Sequence, residues 1–105
     1  MTNLPDAVIA EHIARSLLER KLIACANILP GIKSIYVWQG AVETAIECAL
    51  WLKTTSAHYD AIEQQILAQH PYALPEVIAL PIERGLPAYL SWIQTETRRN
   101  ELGEN

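Results

Sequence analysis

The chain has 105 residues, enough for one domain and too few for a second. Half of the residues are apolar and 19% are charged, which excludes an intrinsically disordered chain. Eight Lys and Arg against twelve Asp and Glu leave a net charge of −4, without the basic field that a nucleic-acid binder needs to displace counterions from phosphate.

No run approaches the ~20 apolar residues that cross a bilayer, so no membrane association is expected. The opening MTNLPDA has neither the basic nor the apolar region of a secretory signal, so the expected location is cytoplasmic.

Pro5-Asp6 starts the first predicted helix, because an Asp side chain accepts from a free backbone N–H of the first turn. Ala10, Ile13, Ala14, Leu17 and Leu18 then recur at helical spacing, and the helix is predicted over Ala7 to Lys21. Leu22 to Leu29 is a mostly apolar run, broken by a kink or turn at Pro30-Gly31. Ile32 to Trp38 is β-branched and aromatic and reads as a strand. With Gln39-Gly40 as a two-residue hairpin tip, Val42 to Thr54 forms the returning strand. Its alternation puts Ile46, Cys48, Leu50 and Leu52 on one face, and Glu43, Ala45, Glu47 and Ala49 on the other.

A second helix is predicted over Ser56 to His70, capped by Ser56, buried through Tyr59, Ile62, Ile66 and Leu67, and stopped by Pro71. After a turn segment from Pro71 to Pro75, Val77 to Ile82 reads as a strand whose Pro81 argues for a sheet edge or a bulge. Pro87 starts a last helix with Tyr89, Leu90 and Ile93 on one face, followed by a polar tail over residues 97–105.

This order is that of an α+β ferredoxin-like sandwich, an antiparallel sheet with helices on one face, lacking its first strand. That strand is central in such a sheet, and only Met1 to Leu4 precede the helix. Either the start of the chain has been placed late, or those residues serve as a stub, or another chain fills the gap. The hairpin arm is apolar on both faces, with Ile35 and Val37 on one and Ile32, Tyr36 and Trp38 on the other. A domain this small covers one face of a long hairpin more readily than both, so a homo-oligomer is expected over a bent hairpin wrapping its own core.

Several segments then carry a resemblance: Pro5-Asp6, KLIACANILPGIKSIYVWQG (Lys21 to Gly40), Leu52-Lys53-Thr54, HPYALPEVIALPI (His70 to Ile82) and YLSWI (Tyr89 to Ile93). In order and spacing they resemble the CutA family, the divalent-cation tolerance proteins, over nearly the whole chain. The resemblance implies one ferredoxin-like domain over residues 1–105, assembled as a homotrimer through sheet edges and hairpin arms. It also implies a cytoplasmic, non-enzymatic protein linked to tolerance of copper and other divalent cations. The copper ligands proposed for that family are a cysteine in the first strand and two adjacent histidines before the Pro-Tyr. Here the first has no counterpart and the pair reads Gln69-His70, so His70 alone carries over as a metal ligand. One imidazole per chain does not enclose a metal, so any site would be weak or shared between subunits. At a predicted helix C-terminus, His70 has a structural reading too, as a cap on free carbonyls.

Trp38, Lys53, Tyr72 and Glu76 form a second candidate group. Brought together at a subunit boundary, they would line a cleft for a small effector, as in the trimeric PII signalling proteins, or supply a Lys53–Glu76 acid–base pair to a small enzyme. Their bland reading is an interfacial salt bridge packed against aromatic anchors. No nucleophile elbow, phosphate loop or histidine pair supports catalysis. Cys25 and Cys48 lie in apolar contexts and read as buried thiols in a reducing compartment. The two-residue tip sets Cys48 opposite Gly31 and Cys25 opposite Thr54, about 20 Å apart along the strand, too far for a disulfide.

Overall fold

The computed structural model describes residues 1–98. In chain order the elements are β1 (Thr2–Leu4), α1 (Ala7–Glu19), β2 (Cys25–Trp38), β3 (Ala41–Lys53), a 3-10 turn (Ser56–His58) running into α2 (Tyr59–Gln69), and α3 (Pro87–Thr97). The strands form one antiparallel sheet in the order β1-β3-β2, and α1 packs on it with α2 alongside, giving the expected α+β fold. None of the described helices is long and apolar enough to cross a membrane.

The first strand is present, which corrects the reading that it was missing. Thr2–Leu4 pairs with β3 through Thr2 to Leu50 and Leu4 to Cys48. On its other side the Met1 ammonium donates to the Ile78 carbonyl at 2.7 Å, and the Ile78 N–H donates to the Met1 carbonyl at 3.2 Å. Three residues therefore suffice for a strand at the edge of this three-stranded sheet, with β3 on one side and the Ile78 backbone on the other. Leu4 is fully buried and joins Ile13, Leu17, Ile23, Leu50 and Ile66 in the core between sheet and helices.

Asp6 caps α1 as expected, its carboxylate accepting from the Ile9 N–H at 2.9 Å. The helix ends at Glu19, short of the predicted Lys21, because Lys21 takes a left-handed φ of 57°. The Lys21 N–H then bonds the Leu18 carbonyl and the Leu22 N–H the Leu17 carbonyl, the paired closure of a Schellman turn, and Leu22 folds back into the core. Leu18, placed on the buried stripe by its spacing, is 42% exposed.

The hairpin tip is as expected, with φ of 50° at Gln39 and 82° at Gly40, the signs of a type I′ turn. Trp38 stands opposite Ala41 and Tyr36 opposite Glu43. Pro30-Gly31 does not end the strand: β2 runs through it as a bulge between Leu29 and Ile32, with Gly31 at φ 75°. The bulge shifts the register by one, so Cys25 faces Lys53 and not Thr54. Both thiols are free, and burial raises the Cys48 thiol above its ordinary value, followed by the Asp6 charge.

Ser56 lies inside the 3-10 turn and caps nothing, and Leu67 is 51% exposed; Ile62 and Ile66 alone are buried in α2. Val77 to Ile82 forms no regular strand, since only Ile78 exchanges bonds with a neighbour and Leu80 and Ile82 lie open. In α3, Ile93 is buried while Tyr89 is 41% exposed, and Thr97, assigned to the tail, is a buried helix residue. The rest of the predicted tail, beyond residue 98, lies outside the described residues.

Candidate functional site

Beyond the core, β2 and β3 continue as an arm. Alternation after the bulge puts Ser34, Tyr36 and Trp38 on one face with their partners Ala45, Glu43 and Ala41, while Glu47 stands opposite Ile32 on that face. Helix α2 stops at Gln69, and Pro71 releases the chain to run across this face. The crossing segment closes a cleft of about 820 Å³, lined by Tyr36, Trp38, Glu43, Glu47, Tyr72 and Glu76 with smaller neighbours.

Tyr72 anchors that segment. Its hydroxyl donates to Glu47 Oε2 at 2.8 Å, and Glu47 is only 9% exposed. His70 holds the segment from the other side: its Nε2 lies 2.7 Å from the Asn3 carbonyl, and its Nδ1 accepts from the Tyr72 N–H at 3.2 Å. An Nδ1 that accepts leaves the proton on Nε2, so these bonds hold the ring as the neutral Nε2–H tautomer. The His70 N–H also closes α2 onto the Ile66 carbonyl.

Of the four residues read together from the sequence, Trp38, Tyr72 and Glu76 share the cleft. Lys53 does not reach it. It closes β3 at the opposite end, opposite Cys25, and donates to the Asn27 side chain. The Lys53–Glu76 pair is therefore not formed; among the described residues the one ion pair is Arg15–Glu11 on the outside of α1. Glu43, Glu47 and Tyr36 complete the cleft and were not singled out. The two-residue tip already set Tyr36 opposite Glu43, but the burial of Glu47 depends on a segment that arrives from 25 residues away.

Among the described residues the cleft is electrically one-sided, lined by Glu43, Glu47 and Glu76 and by no Lys, Arg or His. Burial, then the Glu47 hydrogen bond and charge, hold the Tyr72 hydroxyl well above the ordinary phenol range. Tyr36 shifts the same way, through burial and then the Glu43 and Glu47 charges. Burial lowers the Met1 ammonium below its ordinary value, and the Glu76 charge works against that shift.

The tyrosine shifts fix a pH dependence. An unfolded tyrosine ionises at about pH 10, whereas folded Tyr72 keeps its proton. The unfolded state therefore sheds protons first, and the contribution of Tyr72 is complete below about pH 10 and lost as the pH rises towards the folded value. Thermal melts are expected to hold steady up to about pH 10 and to fall beyond it, and Tyr72→Phe is expected to flatten that fall.

The family's copper ligands do not fit this chain. β1 supplies Thr2, Asn3 and Leu4 and no cysteine. Gln69 spends its amide on Ser16 Oγ and the Gln65 carbonyl, and His70 has both ring nitrogens engaged. Among the described residues no three His, Cys, Asp or Glu side chains converge on one point that could hold a metal ion.

Residues 1–96 match the profile of the family described as CutA1 divalent ion tolerance protein. The divalent-cation tolerance protein CutA of Thermus thermophilus is 41% identical over 97 residues, 92% of this chain and 94% of that one. The protein CutA homolog of Xenopus laevis is 47% identical over 89 residues, 85% of this chain but 59% of its own length, so this chain spans less than two thirds of that longer relative. The solved structure of the periplasmic divalent cation tolerance protein CutA from Archaeoglobus fulgidus superposes with a TM-score of 0.89 at 42% identity, over 92% of this chain and 94% of that one. Sequence and backbone agree from the short first strand through most of the last helix, and the chain belongs to the CutA1 divalent ion tolerance family.

Proposed function

We propose that this chain works as a cytoplasmic homotrimer that takes up divalent cations, copper among them, weakly and at sites completed between subunits, without catalysing a reaction. The family supports the cation, and one observation supports the assembly. Ile35, Val37, Val42 and Ile46 stand 65–73% exposed on one face of the arm, while Tyr36 and Trp38 are about 40% exposed on the other. A Cα radius of gyration of 15.0 Å, against about 13 Å for a compact domain of this length, shows how far the arm projects. Apolar surface on both faces of a projecting ribbon is what copies of one chain would cover in each other. Two free, separated thiols suit a reducing compartment.

In this reading the cation ligands are carboxylates that meet across the subunit boundary, and His70 stays on its backbone partners. Titrating copper and zinc into the metal-free assembly by calorimetry tests this. Weak binding is expected, with His70→Ala keeping most of the heat; loss of the heat in that variant would make the imidazole the ligand instead.

A further inference from the structure

Glu47 and Lys33 are each short of a partner in the single chain. Glu47 is 9% exposed, and its Oε2 accepts from the Tyr72 hydroxyl at 2.8 Å. Among the described residues no basic side chain lines the cleft around it. A carboxylate so far withdrawn from water is costly unless a cation stands against it.

Lys33 is the reverse case. It stands opposite Ile46, so alternation puts its side chain on the arm face of Ile35, Val37, Val42 and Ile46. Among the six residues of that face, the sixth being Thr44, it is the only charged one. Its side chain is exposed and makes no ion pair among the described residues, where Arg15–Glu11 is the one pair present. Covering that apolar face strips water from a lone ammonium, at a cost that a carboxylate on the covering surface offsets.

The opposite face of the same arm supplies the carboxylate. Ile32–Glu47 and Lys33–Ile46 are consecutive cross-strand pairs, so the two charges lie within one residue's rise, about 3.3 Å, along the arm and on opposite faces. Where the Lys33 face of one copy packs on the Glu47 face of the next, rotation about an axis along the arms leaves height unchanged. Lys33 then arrives at the level of its neighbour's Glu47. Contact between unlike faces is heterologous, and such contacts close into rings when the rotation permits, as three copies require. Lys53, the other lysine of the sheet, is held on Asn27 at the far end of β3.

We propose that Lys33 of each copy enters the cleft of the next and pairs with Glu47, so that every cleft is completed by a neighbour's ammonium. The pairing rests on the homotrimer reading and adds to it which faces meet and at what level. The cleft is then part of the interface, and Glu47 is withdrawn from the carboxylates open to divalent cations.

Lys33→Gln and Glu47→Gln, singly and together, test the pairing by sedimentation of the full chain, read as the concentration of half-dissociation. Glu47→Gln keeps an oxygen for the Tyr72 hydroxyl. Each single change is expected to raise that concentration at least about tenfold, because it leaves the other charge buried alone. The double change is expected to cost no more than either single one, since one pair is lost only once. Lys33→Arg is expected to keep the assembly, and Lys33→Glu to weaken it further than Lys33→Gln by setting like charges together. If Glu47→Gln fails to fold, the three substitutions at the exposed Lys33 decide the matter. Additive losses from the two single changes, assembly unmoved by either, or equal assembly of Lys33→Gln and Lys33→Glu would each overturn the pairing while a trimeric unaltered protein still stands. An unaltered protein that sediments as a single subunit would instead overturn the homotrimer reading, and the pairing with it.

Discussion

Lysine at both Ile35 and Val37 is expected to convert the assembly into folded monomers at micromolar concentration. Both side chains lie on the arm beyond the core, 66% and 70% exposed in the single chain, and on the face shared with Val42 and Ile46. Covering an apolar side chain of this size stabilises by about 1.5–3 kcal/mol, so the pair accounts for about 3–6 kcal/mol per subunit. The substitution removes that gain and adds two ammonium groups whose desolvation opposes association. Neither residue belongs to the core cluster, so the subunit should keep its secondary structure and a cooperative melt. Gel filtration with circular dichroism reads both outcomes. Val8→Lys is the control: Val8 is 79% exposed on α1, away from the arm, and its replacement should leave the assembly intact.

Leu4→Ala carries the second large effect. Leu4 is fully buried opposite Cys48, in a strand of three residues, and packs into the core with Ile13 and Leu17. Truncating a buried leucine costs about 2–5 kcal/mol, a large share of the ~5–15 kcal/mol that holds a domain together. The cavity would open where β1 has the least backbone of its own to keep it in place. Denaturant unfolding is best measured in the lysine-substituted monomer, where subunit concentration does not enter. Leu80→Ala in the same background, at a residue 69% exposed, is expected to cost under about 0.5 kcal/mol.

The two cases also mark what the sequence makes legible. The arm was readable because a two-residue tip fixes its register, and Trp38 to Ala41 through Ile32 to Glu47 follow from it. Register failed only past Pro30-Gly31, where a bulge absorbs one residue and a kink has the same signature in a sequence. β1 was invisible because three residues carry no periodicity; it exists through partners on β3 and at Ile78, which are long-range. Val77 to Ile82 shows the converse, a β-rich run whose one backbone partner in a single chain is Met1, at Ile78. At the site, Trp38, Tyr72 and Glu76 were grouped by chemistry and do share a cleft, whereas Lys53 was misplaced because it stands at the wrong end of its strand. Without that residue the described lining of the cleft carries carboxylates and no basic side chain. Glu47 alternates onto the correct face, but its burial is a tertiary event that only the crossing segment reveals.

Sedimentation equilibrium of the unaltered protein tests most directly whether the arm needs a neighbouring copy. The account predicts one species at three times the subunit mass across the micromolar range. A stable single subunit at those concentrations would contradict it.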